Sequence, residues 1–133
     1  MEILPRQPST KGPAEMFTGD VWFDVIAKGE EPSRMRVNTV RFAPGARTAW
    51  HSHARGQYVR VTAGVARFGQ RDGTVHEVHP GQTIYTPPGE EHFHAAGGDG
   101  FMEHIAMIEA GDDPTTTTTW LEHVSDTDLD GCF

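Results

Sequence analysis

Gly45-Ala46-Arg47-Thr48-Ala49-Trp50-His51-Ser52-His53-Ala54-Arg55-Gly56-Gln57, closed at Gly64, is the stretch whose reading decides the fold. Two histidines at i and i+2 on a strand point to the same face. The Arg55-Gly56 turn lets Gln57 bring a side-chain oxygen back to the same point. A second block, from Gly81 through Pro87-Pro88-Gly89-Glu90-Glu91 to His92, supplies a third imidazole from a different hairpin. Three nitrogens and one oxygen, from His51, His53, His92 and Gln57, then converge inside a barrel on a transition-metal site with open positions.

Outward from these blocks the chain reads as strand after strand. Val21, Phe23 and Val25 alternate within a first strand over residues 17–25. Further strands are expected over 35–42, 48–53, 57–63, 65–70, 74–78, 82–86, 92–95 and 101–109. Ala43-Pro44-Gly45, Arg55-Gly56, Asp72-Gly73, His79-Pro80-Gly81 and Pro87-Pro88-Gly89 separate them as turns. No 12-residue helical periodicity is present, and 15 Gly and 9 Pro spread along 133 residues suit short strands and tight turns. The expected fold is all-β: an antiparallel sandwich or small barrel, and closure of such a barrel creates an interior where a small ligand can sit. Residues 1–15, with Pro5, Pro8 and Pro13, read as an extended arm, and residues 16–133 as the barrel. The threonine run Thr115–Thr119, followed by Trp120-Leu121-Glu122-His123-Val124, reads as a closing strand on the outside of the barrel or on a neighbouring subunit.

Composition excludes several classes. Net charge is −8 and no Lys/Arg cluster is interleaved with aromatics, so nucleic acid is not an expected partner. The longest apolar runs fall far short of a membrane span, and Met1-Glu2-Ile3-Leu4-Pro5 lacks a basic-then-apolar leader. A soluble, cytoplasmic location is expected. Cys132 is the single cysteine, so no intramolecular disulfide forms.

The two blocks, at 45–64 and 81–96, resemble the two motifs of the cupin superfamily. The resemblance implies a small antiparallel β-barrel of jelly-roll type holding one divalent metal on His51, His53, Gln57 and His92. Two positions depart from the usual pattern: Gln57 stands where glutamate is usual, and Ala96 where asparagine is usual. Glutamine coordinates through its carbonyl without adding negative charge. The ion keeps its full +2, which favours polarising an oxygen over oxidative chemistry. Mn, Fe, Co, Ni and Zn all suit such a donor set.

His94 follows His92 by two and shares its inward face. His104 lies mid-strand with Met102, Ala106 and Ile108, a face otherwise apolar. Both are candidate catalytic groups, able to take or return a proton beside the metal. Phe42, Met102, Ala106 and Ile108 are expected to line a pocket for an apolar or aromatic group. His76, His79 and His123 read as solvated.

Beyond the superfamily, the chain resembles bacterial single-domain cupins that include manganese-dependent (R)-hydroxynitrile lyases. The match takes in Lys11-Gly12-Pro13-Ala14, Phe17-Thr18-Gly19, residues 44–51, Gln57, His92-x-His94, His104 and residues 120–124. It implies manganese as first choice of metal and lyase chemistry on cyanohydrins. Other readings use the same ligands: a metal-dependent dioxygenase, an isomerase, an aromatic polyketide cyclase, or a non-enzymatic small-molecule-binding barrel. A homodimer or homotetramer is expected, because single-domain cupins generally pair.

Overall fold

The computed structural model describes residues 1–131, and Cys132 lies outside them. The strands are β1 (Thr10–Lys11), β2 (Phe17–Thr18), β3 (Val21–Ala27), β4 (Met35–Phe42), β5 (Arg47–Thr48), β6 (His51–His53), β7 (Gln57–Ala63), β8 (Ala66–Gln70), β9 (Val75–Val78), β10 (Thr83–Thr86), β11 (His92–Ala96), β12 (Met102–Glu109) and β13 (Thr118–Trp120). One short helix, α1 (Asp126–Asp130), ends the described chain. Two antiparallel sheets curl over one another. The first has six strands in the order β1-β3-β4-β12-β7-β10. The second runs β13-β6-β11-β5-β2, with β8 also paired to β11 and β9 to β8. Among the described residues no helix is long and apolar enough to cross a membrane.

Alternation along the strands builds the interior. Val21, Val40, Phe42, Val59, Val61, Ala66, Phe68 and Met102 pack between the sheets as the main core. A second, smaller core lies on the far side of the second sheet, where Trp50, Phe93 and Ala95 pack with Val124, Leu121 and Leu129. β11 is therefore buried on both faces: His92 and His94 point one way, Phe93 and Ala95 the other. Two glycines make this packing possible. A Cβ on Gly69 would lie 1.8 Å from a ring carbon of Phe93, and one on Gly64 (φ +72°) would lie 1.9 Å from the Phe101 carbonyl oxygen.

Three local expectations need correction. Residues 17–25 are not one strand, because Gly19 turns at φ +81° between β2 and β3. Residues 48–53 also split: the Ala49 and Trp50 amides leave the ladder to bond Met16 O and Glu122 O. The threonine run does not lie outside the barrel. Pro114–Thr116 form a 3-10 turn capped by Asp113, after which β13 pairs with β6 of its own chain, Thr118 opposite His53 and Trp120 opposite His51. β1, within the expected arm, pairs with β3 through Thr10–Phe23 and Lys11–Trp22.

Candidate metal centre and its cavity

The site is set by register. β6 presents His51 and His53 inward on either side of Ser52. His92 on β11 lies directly opposite His51. The turn at Gly56 (φ +80°) reverses the chain so that Gln57 opens β7 beside them. His51, His53, Gln57 and His92 are all buried, with 2–5 % of their surface exposed. Ring nitrogens of the three histidines lie within 4.8 Å of one another.

Hydrogen bonds behind the rings fix where the remaining nitrogen lone pairs point. His51 Nδ1 donates to Ala49 O at 2.9 Å, and His92 Nδ1 to Glu90 O at 3.0 Å. Carbonyl oxygens can only accept, so both rings carry their proton on Nδ1 and turn an Nε2 lone pair inward. His53 Nδ1 pairs with Thr118 Oγ1 at 3.1 Å, and its Nε2 is buried with no partner. With His92 in this tautomer, its Nε2 lone pair also faces Gln57 Oε1 at 3.3 Å. Lone pairs gathered in this way repel one another unless a cation lies between them. The donor set therefore fits a divalent metal ion, held by three neutral imidazoles and one amide oxygen.

Burial keeps these rings neutral. His51 and His92 are held below the ordinary imidazole range, first by desolvation and, for His51, next by its histidine neighbours. Desolvation followed by the nearby His92 lowers His53 to about 3.

His94 and His104 extend the cluster, as expected. His94 Nε2 lies 3.1 Å from His92 Nε2, and His94 Nδ1 lies 3.0 Å from His104 Nε2. Thr48 Oγ1 fixes the backbone of His94 by accepting from its amide at 3.0 Å. Phe68 flanks both rings, and Phe42 packs on His104. His104 Nδ1 is buried without a partner. Desolvation lowers His104 to about 4 and drives His94 well below its usual value, assisted there by His104.

These groups open on a cavity of about 670 Å³. Of the expected pocket residues, Phe42, Ala106 and Ile108 line it. Met102 instead packs fully buried in the main core at the closed end of the same strand face. His92 reaches a smaller cavity of about 270 Å³ on the other side, beside Gln70, His76 and Glu90. His76, His79 and His123 are exposed and bond Gln70, Glu77 and Thr18 respectively.

Several lining residues were missed in the sequence. Trp120 stacks on His51 at 4.7 Å and 29° and forms part of the wall with Thr118. Arg36 and Asn38 share the inward side of β4 with Val40 and Phe42. The alternation that exposed Phe42 could have found them, had it been carried back along the strand.

The chain belongs to the cupin domain family, whose pattern matches residues 38–108. It is 42% identical over 128 residues to a protein named (R)-mandelonitrile lyase from Granulicella tundricola, covering 95% of this chain and 96% of that one. Its fold is similar to that of a cupin-like protein from Thermotoga maritima, with a TM-score of 0.82 and 30% identity over 97% of this chain and 95% of that one. The polyketide cyclase RemF from Streptomyces resistomycificus shares the fold at a TM-score of 0.66 and 20% identity, over 86% of this chain and 89% of that one.

Proposed function

We propose that the protein is a metal-dependent lyase of the hydroxynitrile type, which cleaves or forms the C–C bond of a cyanohydrin. The observation that carries this reading is the pair His94–His104: two buried imidazoles in series that metal ligation does not use, opening on the metal-site cavity. The 42% identical relative named as a mandelonitrile lyase supports it.

His51, His53, Gln57 and His92 hold the ion, with manganese first among Mn, Fe, Co, Ni and Zn. When bound, it supplies a Lewis acid that eases deprotonation of a hydroxyl. The chain's own residues supply the proton transfer. With His92 Nε2 engaged as a ligand, the His94–His104 pair can take the order in which His94 Nδ1–H donates to His104 Nε2. His94 Nε2 then presents a lone pair to the cavity. It takes the hydroxyl proton as the C–CN bond breaks, and the departing cyanide recovers that proton from the imidazolium. Because His94 is held neutral by burial, it starts in the form that accepts a proton. General acid–base help of this type is worth ~10²–10⁴-fold. Phe42, Ala106, Ile108 and Trp120 give the substrate an apolar wall suited to an aromatic group. We place the protein in the cytoplasm as a homodimer or homotetramer.

The test is benzaldehyde release from mandelonitrile by manganese-loaded and EDTA-stripped protein. Metal-dependent release that His94→Ala or His104→Ala abolishes, with metal still bound, is the expected result. No release from fully loaded protein overturns the lyase reading and moves attention to dioxygenase, isomerase or cyclase chemistry, or to binding without turnover.

A further inference from the structure

Charge is distributed unevenly between the cavity and the rest of the molecule. The chain as a whole carries −8. Yet among the described residues lining the cavity there is no Asp or Glu, while Lys28 and Arg36, both solvent-exposed, line it. Most other arginines around the barrel are neutralised, whereas Arg60 lies outside the cavity and bonds Thr83. Arg34, Arg41, Arg47, Arg55, Arg67 and Arg71 each pair with a carboxylate. Among the described residues Lys28 and Arg36 have no carboxylate within ion-pair distance. A cleft lined by one sign of charge within low-dielectric walls concentrates ligands of the opposite sign.

Register places Arg36 relative to the metal site. Gln57 on β7 lies opposite Ile108 on β12, and Ile108 lies opposite Arg36 on β4. The three form one row across the sheet, so Arg36 is two strands from the ligand Gln57, or about 10 Å between Cα atoms at the usual strand spacing. In the next row Asn38 lies opposite Ala106, and its amide also lines the cavity. A planar guanidinium that lacks an internal anion is suited to a carboxylate, which it can grip with two parallel hydrogen bonds. Val40, Phe42, Ala106, Ile108 and Trp120 give the same cavity a largely apolar wall.

We propose that the cavity selects small organic carboxylates, with the carboxylate on Arg36, assisted by Lys28 and Asn38, and the reacting oxygen at the imidazole end. This rests on the lyase reading only for the identity of the reacting group, and it narrows the substrate class to anionic, apolar-bodied molecules.

Binding to the EDTA-stripped full chain tests it without turnover. The probes are 4-(hydroxymethyl)benzoate and its neutral isostere 4-(hydroxymethyl)benzamide, titrated calorimetrically at pH 7.5. The carboxylate should bind at least about tenfold tighter than the amide, the scale of one charge-assisted hydrogen bond. Added salt should erode that preference. Arg36→Gln should abolish most of it while leaving amide affinity and the melting temperature unchanged, and Arg36→Lys should retain part. Equal affinities, no carboxylate binding at millimolar concentration, or a preference that survives in the Lys28→Gln/Arg36→Gln double variant each overturn the proposal. Carboxylate selectivity in a protein that leaves both mandelonitrile and 4-carboxymandelonitrile intact would sink the lyase reading alone.

Discussion

Lowering the pH of the metal-free protein from 7 to 5 should destabilise it steeply, because folding buries five imidazoles in their neutral form. His53 and His104 carry the clearest numbers, with folded values of about 3 and about 4 against 6.5 for a free imidazole. The unfolded chain therefore binds protons first. Stability is complete above pH 6.5 and falls as the pH drops below it, until the folded-state values are reached. Each such histidine costs about 1.4 kcal/mol per pH unit within that window. Between pH 6 and 5 these two alone remove about 2–3 kcal/mol, and His51, His92 and His94 act in the same direction. Against a total stability of about 5–15 kcal/mol, this is a large share of the folded margin, lost while most carboxylates remain charged. Urea titrations at pH 7.5, 6.5 and 5.5 on EDTA-treated protein would give the slope. His104→Gln should flatten it by about 1.4 kcal/mol per pH unit. Bound metal should shift the loss to lower pH, since protons and metal compete for the same nitrogens. A stability that stays flat from pH 7 to 5 would refute the burial of neutral imidazoles.

Two further substitutions probe the framework of the site. Gly69→Ala forces a methyl into the Phe93 ring, so it should cost about 1–3 kcal/mol in chemical denaturation and displace β11 with its two histidines. An unchanged denaturation midpoint would show that the β8–β11 approach is looser than described. Thr118→Val removes the hydroxyl behind His53 Nδ1 and should lower metal affinity by about 10–100-fold in a chelator competition, with little effect on the melting temperature of the metal-free protein. Unchanged affinity would mean that Thr118 does not orient the ring.

Local sequence carried much of the site. His51-Ser52-His53 needed only the two-residue period of a strand, and both rings do face inward. His94 and His104 followed from the same period applied to β11 and β12, and both point into the cavity. The same rule misplaced Met102: sharing a strand face with His104 settles direction, whereas depth along the barrel depends on how the opposite sheet closes. The helix α1 was legible but overlooked. Ser125 and Asp128 form a capping box, and Gly131 closes it at φ +69°. The threonine run was ambiguous for a physical reason. Threonine suits any strand, and nothing in a homopolymeric stretch says which edge it joins.

What the sequence determined by itself was the periodic and short-range part: an all-β barrel, turns at its glycines and prolines, and the histidines and glutamine of the candidate metal site at their spacing. Tertiary structure alone decided which nitrogens face each other. The Ala49 and Glu90 carbonyls fix the tautomers of His51 and His92, Thr118 arrives behind His53 from 65 residues away, and Trp120 caps His51. It also decided that Arg36, one of several arginines in the chain, is left facing the cavity while others are neutralised by partners remote in sequence. Those pairings come from strand register between distant segments, and no local pattern of residues encodes them.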